Sequence, residues 1–89
     1  MTRTEIFEVI KSNLRKVVEG TQNVEIREEA SLDTDYNADS LEIVEVVSRS
    51  MKELKIKVPR TSLTKAKNLK DLVDLFEQAA SAGPGQKSP

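Results

Sequence analysis

The chain has no cysteine, no histidine and no tryptophan among its 89 residues, and only three glycines, one tyrosine and two phenylalanines. Without cysteine or histidine there is no thiol nucleophile, no disulfide, no thiolate or imidazole metal ligand and no imidazole base. Any reactive thiol must therefore arrive on a cofactor. The few glycines form no glycine-rich phosphate loop, and no paired nucleophile and base or metal-ligand cluster is visible. No apolar run nears the roughly 20 residues of a membrane span. The charges inside MTRTEIFEVI exclude a signal peptide. A cytoplasmic location with no membrane partner is expected.

What is present is charge, and it is unevenly placed. Residues 1–45 hold 11 acids and 5 bases, net −6, whereas residues 46–89 hold 4 acids and 9 bases, net +5. From Leu54 to Lys70 there are six bases (Lys55, Lys57, Arg60, Lys65, Lys67, Lys70) and no acid. Such asymmetry suits a charged partner, or simply a solvated face. No aromatic residue stands between these bases to stack on nucleotides, so no nucleic acid is expected. The length suits one small domain with a thin core, because a chain this size buries only about 60% of its unfolded surface.

Helical periodicity dominates. Thr2-Arg3-Thr4-Glu5 has capping-box spacing, and Ile6, Phe7, Val9, Ile10, Leu14, Val17 and Val18 recur near the helical period. A helix over about 3–18 with a stop at Gly20 is predicted. Residues 19–38 lack a period. A connection longer than the usual ~12–15 residues should be packed or functional, with Val24, Ile26, Leu32 and Tyr36 pinning it. A second helix runs from Asp39-Ser40 to about Leu54, ahead of Pro59. A short turn fits Thr61 to Lys65. Asn68 caps a last helix with Asp71 in its first turn and Leu69, Leu72, Val73, Leu75 and Phe76 on its apolar side. The fold class is therefore all-α. The domain is expected over 1–80, with a disordered tail or linker stub over 81–89, where Gly83, Pro84, Gly85 and Pro89 cluster.

The second helix carries most information. On a wheel starting at Leu41, Ile43, Val46, Val47, Ser50 and Leu54 fall within about 140–240°, a core stripe. Leu41, Val44, Ser48 and Met51 form a second stripe at about 280–360°, while Glu42, Glu45, Arg49, Lys52 and Glu53 fill about 20–120°. The second stripe is either surplus apolar surface for a partner or the mark of a helix with two neighbours. Asp39 and Glu42 have capping-box spacing. If Asp39 is the cap, the Ser40 hydroxyl is free at a helix N-terminus, where phosphate is favoured. Alternatively Ser40 is itself the cap.

Asn37-Ala38-Asp39-Ser40-Leu41-Glu42 resembles the Gly-Ala-Asp-Ser-Leu-Asp/Glu signature of acyl carrier proteins. Ala30-Ser31-Leu32, Val44-Glu45-Val46-Val47 and Val58-Pro59 match further segments of that family, and the resemblance spans about residues 3–79. It implies a four-helix bundle of three longer helices and a short third one. It also implies 4′-phosphopantetheine from coenzyme A on Ser40, with Asp39 beside the phosphate, where a phosphopantetheinyl transferase could use it with Mg²⁺. The chain would carry acyl groups as thioesters and do no catalysis. Its partners would be ketosynthase, acyltransferase and other acyl-processing enzymes, and it would be a monomer. Leu41, Val44 and Met51 become the apolar contact stripe, with Glu42 and Glu45 steering. The acyl interior would comprise Ile43, Val47, Ser50, Leu63 and Leu72. Ser50 stands where the family prefers a large apolar residue, leaving room, a polar point, or a hydroxyl bonded back to its helix.

Two other departures stand out. Asn37 replaces a glycine but tolerates the left-handed conformation, and Tyr36 replaces an aliphatic residue. The family's second and third helices are normally acidic, whereas the Leu54–Lys70 stretch is basic. This points to a dedicated polyketide-type or other specialised carrier, with acidic partner patches meeting Lys65 and Lys67, rather than a general fatty-acid carrier. An aminoacyl or peptidyl carrier is disfavoured by Ala38 before Asp39. A helical interaction module in which Ser40 only caps a helix is the remaining alternative.

Overall fold

The computed structural model describes residues 2–63 and 66–86, the side chains at 60 and 81–86 excepted. Four helices follow in order: α1 (Arg3–Val17), α2 (Ser40–Leu54), α3 (Arg60–Leu63) and α4 (Leu69–Gln86). Among the described residues the sole extended pairing is an isolated bridge between Ser31 and Asn68. The all-α expectation holds, with α1 packed against both α2 and α4.

The starts of α1 and α4 are set by their caps. Thr2 accepts the Glu5 N–H at 3.1 Å while the Glu5 carboxylate accepts the Thr2 N–H at 2.8 Å, satisfying two otherwise orphaned donors at the mouth of α1. At α4 the Asp71 N–H donates to Asn68 Oδ1 at 2.8 Å, and Asp71 Oδ2 accepts the Lys67 N–H at 2.9 Å.

The ends differ from the sequence expectation. Gly20 does not stop α1. The helix closes at Val18, whose backbone is extended. Its last carbonyls are taken by side chains: Thr21 Oγ1 donates to Val18 O at 2.6 Å, and Gln22 Nε2 donates to Arg15 O at 2.6 Å. Gly20, at φ +90°, turns the chain back so that these caps can reach. Helix α2 ends with Lys55 in the left-handed region, at φ 57°, a place usually filled by glycine. The third helix begins at Arg60, one residue before the predicted Thr61, and its predicted end at Lys65 lies outside the described residues. The α4 backbone continues through Gln86, and residues 87–89 of the tail expected over 81–89 lie outside the described residues. Ser81 is therefore not a helix end, although Pro84 removes one helical donor.

The interior is built from the predicted stripes. Ile6, Ile10 and Leu14 of α1 are fully buried, as are Val47 of α2 and Leu69, Leu72, Val73 and Phe76 of α4. The long connection 19–38 is packed as its length demanded. Ile26, Leu32 and Tyr36 are buried, but Val24 is not: its side chain is 41% exposed. Val24 holds the loop through its backbone instead, its carbonyl accepting from Arg15 Nη2 at 3.0 Å. Tyr36 explains its own departure from an aliphatic residue. Its hydroxyl accepts the Arg27 N–H at 2.9 Å and donates to Glu25 O at 3.2 Å, closing the loop on itself.

A second device ties α1 to α4. The Arg3 guanidinium meets Asp74 at 2.6 Å, Glu77 at 2.9 Å and Glu28 at 3.2 Å. The hydrogen bond from Arg3 holds the Asp74 carboxyl below the ordinary carboxylate value, against a smaller opposing effect of burial, with Lys70 adding to the lowering. Because the folded value is depressed, the contribution of Asp74 to stability is complete above the unfolded value of about 3.9 and is lost as pH falls through the folded value. An NMR titration should place the Asp74 midpoint below that of an unfolded Asp, and Arg3→Gln should return it towards about 3.9. An unchanged midpoint in the variant would remove the assigned cause.

Candidate functional site

The stretch Tyr36–Ser40 passes from the core to the surface over a few residues. Tyr36 is buried and bonded through its hydroxyl. Asn37 takes the left-handed conformation at φ 59°, the role glycine has in the resembled signature. Ala38 is buried at 4% exposure, its N–H donating to Leu32 O at 3.0 Å. Leu32 in turn donates its N–H to Lys67 O at 3.4 Å, and Lys70 donates its N–H to Glu28 O at 2.8 Å. The loop is thereby bound to the start of α4, and the chain emerges to solvent at Asp39 and Ser40.

Asp39 is the cap of α2. Its Oδ1 accepts the Glu42 N–H at 2.8 Å, and Glu42 Oε1 accepts the Asp39 N–H at 3.0 Å. The reading of Ser40 as the cap is thus excluded. Ser40 is the first helical residue, its side chain is exposed, and among the described residues no hydrogen bond engages its hydroxyl. The N–H groups of Ser40 and Leu41 have no helical acceptor, since the first turn of any helix lacks one. The helix dipole adds positive potential there. An accessible alcohol beside spare donors is suited to a covalent phosphodiester.

The predicted contact stripe is only partly outward. Leu41, beside Ser40, is 80% exposed. Val44 and Met51 are half-buried, and Met51 packs on the core with its sulfur accepting the Val58 N–H at 3.2 Å. Met51 thus has a structural duty that the wheel did not show. Glu45 is exposed and paired with Arg49 at 3.0 Å, while Glu42 is drawn into the capping box. Lys67 is exposed on the segment hydrogen-bonded to Leu32; Lys65 lies outside the described residues.

The predicted interior residues also divide. Ile43 and Leu63 are half-buried, whereas Val47, Ser50 and Leu72 are sealed from solvent. Ser50 leaves no free polar point. Its hydroxyl donates to Val46 O at 2.8 Å and accepts from Asn13 Nδ2 at 3.1 Å, and the same Asn13 nitrogen donates to Glu53 at 2.9 Å. Asn13 is the residue that sequence reasoning missed. Its position seven after Ile6 and three after Ile10 puts it on the core face of α1, so its polarity was a legible anomaly.

Comparison with known proteins bears on this arrangement. The family described as "Phosphopantetheine attachment site" matches residues 8–76. An acyl carrier protein of Thermotoga maritima is 34% identical over 77 residues, 86% of this chain and 94% of that protein. The polyketide biosynthesis acyl-carrier-protein AcpK of Bacillus subtilis is 29% identical over 83 residues, 92% of this chain and all of that protein. An acyl carrier protein of Guillardia theta is 28% identical over 82 residues, 92% of this chain.

The geometry predicts different costs of substitution at adjacent positions. Asp39→Ala removes a cap and should cost about 1 kcal/mol in urea unfolding. Ser40→Ala removes an exposed, unbonded hydroxyl and should stay within about 0.5 kcal/mol of the parent. A large loss in Ser40→Ala would show that the hydroxyl has a structural partner.

Proposed function

The chain belongs to the acyl carrier protein family with its phosphopantetheine attachment domain, and on that footing we propose that Ser40 is the residue that bears the prosthetic group. The protein carries acyl groups, and its cofactor is a covalently attached 4′-phosphopantetheine. The observation that carries the assignment to Ser40 is the exposed, unbonded hydroxyl at the first position of a helix capped by its neighbour.

The residues fit the group. Ser40 offers the oxygen that would attack the pantetheine-bearing phosphorus of coenzyme A, forming the phosphodiester as the pyrophosphate P–O bond breaks, adenosine 3′,5′-bisphosphate leaves and the hydroxyl proton passes to a base of the transferase. The open N–H groups of the first turn offer donors to the anionic oxygens. When attached, the group supplies the thiol that this cysteine-free chain lacks, on which acyl groups are held as thioesters. Asp39 uses Oδ1 for its cap and leaves Oδ2 for a transferase-bound Mg²⁺ during loading. The chain's own part is to present and shield the cargo, so it acts as a macromolecular substrate and not as an enzyme.

Docking in this reading uses Leu41 as the exposed apolar contact, with Val44 beside it and Glu45 as the acidic rim. Such small contacts give transient complexes in which charge governs encounter rate more than affinity. The partners are a phosphopantetheinyl transferase and acyl-processing enzymes such as a ketosynthase and an acyltransferase, met in the cytoplasm. Among the described residues no helix is long and apolar enough to cross a membrane. The basic Leu54–Lys70 stretch supports a dedicated carrier of a polyketide-type or related specialised pathway, its partners bearing acidic patches. The similarity to AcpK is consistent with that placement.

Incubation with coenzyme A and a broad-specificity phosphopantetheinyl transferase should add the mass of one phosphopantetheine, and Ser40→Ala should abolish the gain. Modification of the alanine variant would move the attachment site elsewhere. For the basic stretch, Lys65→Glu with Lys67→Glu should lower kcat/KM with the cognate ketosynthase about tenfold at low salt and weaken its salt dependence. Unchanged turnover would refute steering by these lysines.

A further inference from the structure

The core face of α2 changes character along its length. Val46 and Val47 are apolar and sealed, but the next position on the same face is Ser50, whose hydroxyl is tied to Asn13 of α1. Ser50 lies ten residues beyond Ser40, about 15 Å along the helix axis. Asn13 and Ser50 are each at least 99% buried. Their hydrogen bonds run unbroken from Val46 O through Ser50 and Asn13 to Glu53 at the surface. A network whose donors are all used is stable as it stands and costly to open, since leaving a buried donor or acceptor unmet costs about 1–3 kcal/mol per group.

We propose that Asn13 and Ser50 form a polar end wall that limits the length of saturated acyl chain this carrier can enclose, so that its cargo is short. This rests on the carrier reading above. Ile43 is half-buried against the core, and Val46 and Val47 continue that face of α2 inward. An alkyl chain can part these residues and gain by its own burial, about 0.8 kcal/mol for each methylene. At Ser50 that gain ends. Going further requires the chain to separate Ser50 from Asn13, and hydrocarbon offers neither group a replacement partner. The next methylene then gains less than the network loses. A short chain stops before the wall and stays shielded. A long saturated chain keeps its outer carbons in water, or remains outside altogether.

The wall is removable without emptying the core. Asn13→Leu with Ser50→Ala replaces both partners by apolar groups, a change that is near neutral when shape is kept. Glu53, which loses its bond to Asn13, is exposed and can turn to water. The single variant Ser50→Ala, which keeps the Asn13–Glu53 bond, provides a milder opening should the double variant fold poorly.

The test uses the full chain loaded enzymatically from butanoyl-, octanoyl- and dodecanoyl-coenzyme A, with intact mass confirming each adduct. Failure to load would strike the carrier reading itself, whereas the wall is judged only on loaded protein. The readout is the rate at which hydroxylamine cleaves the thioester, relative to the corresponding free acyl-pantetheine. In the parent, protection should stop rising with chain length once the wall is reached, so that dodecanoyl is no better protected than octanoyl. In the double variant, dodecanoyl should become about tenfold better protected than in the parent, the equivalent of about 1.4 kcal/mol. In Ser50→Ala the shift should have the same direction and be smaller. Protection of dodecanoyl in the parent equal to that in the variants would overturn the proposal, and so would the same length profile in all three proteins.

Discussion

Everything that makes this small chain a presenting device depends on both peptide groups of Leu32 being occupied. Its carbonyl receives the Ala38 N–H and its N–H reaches Lys67 O, while its side chain is buried. One residue thus joins the long connection, the start of α4 and the segment that leads to Ser40. A twenty-residue connection without a period has only isolated turn bonds of its own, such as Asp35 N–H to Ser31 O, and its ordering entropy must be met by other contacts as well. Leu32 provides them at its centre, and the Tyr36 hydroxyl and the Lys70–Glu28 backbone bond secure either side. Held in this way, the loop delivers Asp39 in extended geometry at the mouth of α2, where the capping box can close and turn Ser40 outward.

Charge is used in two different ways. Part of it is paired at the surface: Arg3 gathers Glu28, Asp74 and Glu77, Glu45 meets Arg49, and Lys70 meets Asp74. Exposed pairs of this kind add little to stability individually, but the Arg3 group joins three separate parts of the chain and so acts on their relative placement. The remaining charge keeps the division seen in the sequence. Acids line the connection ahead of Ser40, and Lys55, Lys57 and Lys67 are exposed beyond α2. A carrier that must dock and release benefits from long-range attraction with little buried contact, because steering raises the rate of encounter without lengthening the stay.

The pairing of Asn13 with Ser50 is the point at which packing and cargo meet. In a thin core, two polar side chains forgo apolar burial, and their bond to one another fixes how α1 sits on α2. The same bond sets a chemical boundary inside the molecule. With the proposed end wall, one satisfied polar network would serve both the registry of the helices and the capacity for cargo, the first through geometry and the second through the cost of breaking it.

Local chemistry was legible in the sequence wherever neighbours along the chain supply the partners. The caps at Thr2, Asp39 and Asn68, the stripes of α1, α2 and α4, and the hydroxyl at position 40 all depend on spacings of three or four residues, which a sequence displays directly. The family signature around Ser40 lies in the same local register. What tertiary structure alone decided involves partners distant in sequence or conformations that composition disfavours. Lys55 takes a glycine's conformation, Val24 turns outward while its carbonyl holds Arg15, Met51 lends its sulfur to Val58, and Leu32 joins Ala38 to Lys67. Asn13 stood visibly on an apolar face, yet nothing local named Ser50 as its partner 37 residues away. Hydrogen bonds between distant residues carry no periodic trace, so they become readable only when the chain has closed on itself.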